Sequence, residues 1–302
     1  MSRILRRLVL CSLFLLTATP VFAQEVKDME DRATDLLTMA PAAAPAKWES
    51  FAETDWLRRS SIEEGGGNVT MGQVRAGVSR KQDLSSRFEL TTGMHYSARL
   101  IDAPASAHLP ESLHAVALEL GGEYRTSDKL ALGARVSPGL AGDFKAITGD
   151  DVRVPVALHA RYRPDQQWTL IGGVAYTGMN RSFPVLPILG ALYVPTPQWA
   201  FGLGFPRTGI MYRPSRGTEL YLAAEFSGGE YRLHDPSVGA NLISYHEERL
   251  AAGAEISLSK RVKLGLSVGE AFGRKFRFFD GDRPDLHVAR APFARLGLKF
   301  YL

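Results

Sequence analysis

The 302-residue chain has a single cysteine, Cys11, and it lies in a segment that reads as a leader. Met1–Ala23 has a basic start (Arg3, Arg6, Arg7), an apolar stretch, and small residues before Gln24, the pattern of a cleaved secretory signal peptide. Its removal takes the only thiol with it. Disulfides, zinc–thiolate sites and a cysteine nucleophile are then excluded from the mature protein. Three arginines and no acidic residue leave with the leader, so the formal charge falls by three from +4. The sequence pI of about 9.2 is therefore no argument for binding nucleic acid, and no nucleic-acid partner is expected. Long unbroken apolar runs are missing too. Residues 182–206 carry no charge, but Pro184, Pro187, Pro195 and Pro197 interrupt them, and each interior proline costs a helix about 3 kcal/mol. The segment reads instead as two strands joined by a turn at Thr196–Gln198. No phosphate loop, dinucleotide fingerprint or HExxH motif occurs, and no cofactor or metal is expected.

What is present is alternation. From Arg87 to Leu100, Phe88, Leu90, Met94, Tyr96 and Leu100 share one face while Arg87, Glu89, His95, Ser97 and Arg99 share the other. Val152–Arg163 and Leu250–Leu258 repeat the pattern, and weaker copies run through 74–78, 116–124, 130–136, 168–176, 220–226 and 262–268. Tight connections alternate with longer polar ones, as in a membrane barrel with short periplasmic turns and longer external loops. Phe88, Trp168 and Trp199 each follow a tight turn, where an interfacial girdle belongs. The last residues place Leu296, Leu298, Phe300 and Leu302 on one face. This is similar to the signal with which barrel strands end for assembly, although a terminal leucine stands where an aromatic is usual.

The expected fold is all-β: a transmembrane antiparallel up-and-down barrel of 12–14 strands over residues 61–302. Residues 24–60 are expected to form an N-terminal periplasmic extension, a linker or a plug. Both termini on one side require an even strand number.

Three stretches, PVLPILGALY (184–193), GFPRTGIMYRPS (204–215) and ELYLAAEFSGGEYR (219–232), carry a resemblance to the family of Gram-negative outer-membrane β-barrel proteins of unknown function. The resemblance covers about residues 60–302. It implies a barrel in the outer membrane and brings no substrate and no catalytic residues.

The polar faces supply candidate lumen residues: Arg75, Arg87, Glu89, Arg99, Glu119, Glu123, Arg135, Arg153, His159, Arg161, Arg163, Glu225 and Glu255. A cation-lined channel would favour anions, whereas pairing between neighbouring strands would simply let the interior carry charge. His95 and Ser97 point the same way from a strand, close enough for an imidazole to take a hydroxyl proton. They resemble the His-x-Ser pair of outer-membrane lipid hydrolases, with Glu111 the nearest downstream acid. His246-Glu247-Glu248 reads as a solvated strand end. The expected partners are outer-membrane lipids and lipopolysaccharide, the barrel-assembly machinery and small solutes. The leading functional expectation is a passive channel. A lipid hydrolase using His95 and Ser97, and a structural or adhesive barrel acting through its loops, are the alternatives.

Overall fold

The computed structural model describes residues 48–63, 67–178, 184–204 and 208–302. The leader and residues 24–47 lie outside these, so whether the chain before Trp48 plugs the lumen is outside the described residues. The described chain forms one closed antiparallel sheet of fourteen strands. They are β1 (Trp48–Ser61), β2 (Asn68–Asp83), β3 (Phe88–Asp102), β4 (Ser112–Arg125), β5 (Leu130–Val136 and Gly139–Gly142), β6 (Val152–Arg153 and Val156–Tyr162) and β7 (Trp168–Tyr176). Then come β8 (Val185–Thr196), β9 (Trp199–Gly204), β10 (Thr208–Ser215), β11 (Thr218–Arg232), β12 (Leu242–Ser257), β13 (Val262–Phe279) and β14 (Leu286–Val288 and Ala291–Tyr301). Each strand pairs with the next, and β14 pairs back onto β1 from Glu49↔Tyr301 to Leu57↔Phe293.

The barrel therefore begins at Trp48, ahead of the boundary expected at residue 61. The expected N-terminal extension gives up its last stretch to the wall. The reason is visible in β1. Its inward positions are Glu53, Asp55 and Leu57, and of its outward ones only Trp56 is large and apolar, so the alternation of apolar and polar residues is poor.

Elsewhere alternation sorts the side chains as the pleat demands. In β3, Met94, Tyr96 and Leu100 are exposed on the outside, whereas Ser97 and Arg99 are buried inside. Around the wall the exposed set is apolar: Leu118 and Leu120, Leu158, Leu170, Leu220 and Leu222, Leu266 and Val268. That is a lipid-facing band.

The tight turns share one device. Ser85 Oγ accepts from Phe88 N at 3.0 Å, Ser127 Oγ from Leu130 N at 3.1 Å, and Asp165 Oδ1 from Trp168 N at 2.9 Å. A short polar side chain that bonds the backbone two or three residues on closes each hairpin locally. Near these turns an aromatic girdle is stacked: Trp168 on Tyr193 and Trp199 on Tyr212, both with centroids 4.6 Å apart.

The opposite end departs from a simple cylinder. Pro138 in β5 and Pro155 in β6 interrupt their strands without shifting the register. At the loop end of β5, Gly142 pairs in parallel with Arg232 at the end of β11, and Asp143 N donates to Arg232 O at 3.0 Å. Five strands separate β5 from β11 around the wall, so this contact crosses the barrel. The last turn of β11 and the start of β12 are buried on both faces. Inside, Leu57, Met71, Leu113, Tyr231, Ile243 and Phe276 build a core that fills the loop end.

Candidate functional site

The thirteen candidate lumen residues all sit on the face turned away from the exposed apolar side chains. They divide by height. Toward the turn end the charges are partly exposed and paired: Arg161 with Glu123, Arg213 with Glu219 at 2.7 Å, and Lys299 with Glu255 at 3.7 Å. Arg87 is exposed at its turn, while Glu89 and Arg163 are half-buried. His159 lies over Gly133, where an added Cβ would come within 2.3 Å of the ring, so only glycine leaves room for it. At mid-height Glu119 stands between Arg135 (3.1 Å) and His95 Nε2 (3.1 Å). Arg153, on the inner face of β6, is buried.

Above that level the interior closes. Arg249 Nη1 donates to Asp55 Oδ2 at 2.9 Å, and its Nε donates to Glu247 Oε1 at 2.9 Å. Tyr245 Oη donates to Glu247 Oε2 at 2.6 Å and receives Arg274 Nε at 3.2 Å. Arg99 lies 4.5 Å over the Tyr245 ring, donates to Ser227 Oγ at 3.2 Å and approaches Glu247 to 3.9 Å. A second branch joins Arg295 to Glu225 (2.9 Å) and Glu53 (3.4 Å), and Glu53 to Arg75 (2.5 Å). Five guanidinium groups and four carboxylates thus interlock across β1, β2, β3 and β11–β14. Buried charges persist only when paired and hydrogen-bonded, and this cluster meets that condition by drawing from both edges of the closure seam.

Sequence reasoning found Arg75, Arg99 and Glu225 and missed their neighbours Glu53, Asp55, Glu247, Arg249, Arg274 and Arg295. The reading of 246–248 as a solvated strand end is corrected: Glu247 is fully buried and His246 is buried too. The i, i+2 spacing of Glu247 and Arg249 was the available signal, since it puts both on one face.

His95 and Ser97 also lie on the inner face, with Ser97 buried. Glu111 does not join them; it sits exposed in a loop, where its carbonyl accepts from Ile101 N at 2.8 Å. The acid beside the histidine is Glu119, from the neighbouring strand. Leu296, Phe300 and Leu302 are exposed on the outer face, and Leu298 shares that face half-buried.

The loop end carries a second polar cluster. Asp143 Oδ2 accepts from His234 N (2.9 Å) and Asp235 N (3.0 Å), Arg232 reaches Asp150 (2.9 Å), His234 meets Asp151 (3.0 Å), and Lys145 pairs with Asp235. The Lys145 and Ser237 hydrogen bonds hold the Asp235 carboxyl down at about 2. Burial alone would raise the Asp151 carboxyl, but bonds from Thr148 and His234 outweigh it and leave it below the usual range. Arg283 donates to Val238 O (2.8 Å) and to Ala107 O, tying in two more loops.

A closed even-stranded barrel with an apolar outside, a charged inside, an aromatic girdle and hairpins that are short at one end is the fold of outer-membrane channels. The chain belongs to the family described as Domain of unknown function (DUF6268), whose model matches residues 67–300. It is similar in fold to the TodX monoaromatic hydrocarbon channel deltaS2 mutant, with 11% identity, 88% of this chain and 92% of that one covered, and a TM-score of 0.50. Also similar are the COG4313 outer membrane channel from Pseudomonas putida F1 (13% identity, 87% and 98% covered, TM-score 0.46) and a Pseudomonas aeruginosa FadL homologue (8% identity, 84% and 89% covered, TM-score 0.45). No curated protein matches the chain.

Proposed function

We propose that this protein is an outer-membrane channel for small solutes, with its turn end in the periplasm. The observation that carries the reading is the contrast between the two halves of the lumen. At the turn end the inner face is charged, paired and partly open to water. At the loop end the Arg249–Glu247–Asp55 cluster and the apolar core above it fill the interior. A barrel with a wet entrance and a filled far end is a gated or narrow conduit rather than a wide pore. The fold neighbours titled as channels are consistent with this and add nothing about the solute.

Planar-bilayer conductance of the folded mature barrel tests the proposal. The native protein should give small, steady events. Arg249→Ala together with Glu247→Ala, which removes the pair and its bulk, should raise the conductance. A folded double variant that stays silent would overturn the reading.

A second reading, lipid hydrolysis, has one observation in its favour: Glu119 lies where it can orient the His95 ring. The pair faces the interior and not lipid, which counts against it. Ser97→Ala that abolishes phospholipid cleavage by the native protein would make this the better reading.

A further inference from the structure

The wall is not equally tall all round. β9 has six residues and β10 eight, whereas β12 and β13 have sixteen and eighteen. At about 3.3 Å per residue and a tilt of about 40°, six residues rise about 15 Å, well short of an apolar band of about 25 Å. The hairpin turns just past Gly204, whose φ of +80° suits a glycine at that bend.

Both neighbours of the hairpin continue past it. On β8, pairing with β9 stops at Gly190, leaving the Val185–Leu189 edge beyond it. On β11, pairing with β10 stops at Ala224. Among the described residues no strand pairs with the exposed side of either continuation until Arg232 meets Gly142 across the barrel. Unpaired strand edges do not survive against hydrocarbon; they occur inside protein or beside an opening.

The side chains show which of these applies to each edge. On β11, Leu220 and Leu222 are lipid-exposed, but from Glu225 to Tyr231 the strand is buried, apart from half-buried Phe226. The register keeps Glu230 on the same face as Leu222, and puts Ser244 and His246 of β12 beside it on the face that holds Leu250 lower down. All three are polar and buried. The strand pair has therefore left the lipid surface and turned inward, and its former outer face now looks into the protein. β8 stays in the wall, with Val185 and Leu189 exposed.

Beneath the gap the inner wall is apolar. Ile171, Ile188, Leu192, Ala200 and Met211 line the inside of β7–β10, with no ion pair among them. A water-filled pore has no use for that lining, but an apolar cargo does.

We infer that the barrel opens sideways at this notch, above the β9–β10 hairpin, and that its cargo is a small apolar or amphiphilic molecule exchanged with the outer leaflet. The inference rests on the channel reading and specifies its route and substrate class. The test uses cells carrying the full chain and the apolar dye N-phenyl-1-naphthylamine, which an intact lipopolysaccharide leaflet excludes. Two variants close the route differently. One lengthens the hairpin by four alternating apolar and polar residues on each strand, restoring the wall. The other, Ile188→Lys, charges the apolar lining. Folding is checked by heat-dependent gel mobility, and potassium chloride conductance is measured in parallel.

The native protein should speed dye entry several-fold, and both folded variants should return it to the level of cells without the protein. Equal dye entry through native and variant barrels would overturn the inference. If conductance persists in that case, the channel reading survives with another route. If the native barrel passes neither dye nor ions, both fail.

Discussion

Glu247 accepts from Tyr245 and Arg249 and lies within 4 Å of Arg99 and Arg274, all without access to water. Its replacement by Gln leaves these cations short of a charge they cannot recover from solvent. Breaking a buried pair from one side costs about 3–5 kcal/mol. Glu247→Gln should therefore lower the urea midpoint of the micelle-refolded barrel markedly. Glu255→Gln, which loosens a half-exposed pair with Lys299 at 3.7 Å, should move it by no more than about 1 kcal/mol. Equal midpoints for the two variants would mean that the buried cluster is hydrated in solution. The arginines of this cluster were partly legible in the sequence, because Arg75 and Arg99 lie in strands with clean alternation. Their partners were not. Glu53 and Asp55 sit in β1, whose outer face is weakly apolar, and Glu247 sits where β12 is buried on both sides, so no alternation marks it.

The loops at the far end act together as one element. Asp235 holds Lys145 and caps the short helix at Pro236–Val238 through Ser237 N at 2.9 Å. Its carboxyl is depressed relative to an unfolded aspartate. The contribution is therefore fully present above about pH 4, and it is lost as pH falls through about 2. Carbon-13 titration of the Asp235 carboxyl in micelles should find it near that value, and Lys145→Met should move it up toward the ordinary range. No movement would mean that the loops are not joined in solution. Hairpin turns were readable from Ser, Asp and Gly at fixed offsets, whereas the bridge between the β5 and β11 ends was not. It depends on two strands far apart in sequence bending toward each other, and neither bend has a local signature beyond Pro138 and Gly228. The brevity of β9 and β10 was visible in the sequence as a defect in spanning length; only the pairing pattern turns it into a gap in the wall.

At the scale of the whole barrel, closure depends on β1. Deleting residues 48–61 would leave the facing edges of β2 and β14 unpaired in lipid, which a membrane barrel does not tolerate. The deletion should abolish heat-dependent gel mobility altogether. The fold class was legible because fourteen strands repeat one pattern, so a failure in any one of them is outvoted. The domain boundary was not, because it hangs on a single strand. That same strand has a further property. Trp48 N donates to Leu302 O at 3.1 Å and Leu302 N returns a bond to Trp48 O at 2.9 Å, so the first and last described residues are already neighbours in a ladder. The order in which the strands are connected is therefore separable from their arrangement in space. A short linker from Leu302 to Trp48, with the chain reopened at the Ser127 turn, should yield a circular permutant that folds to the same barrel and gives the same conductance.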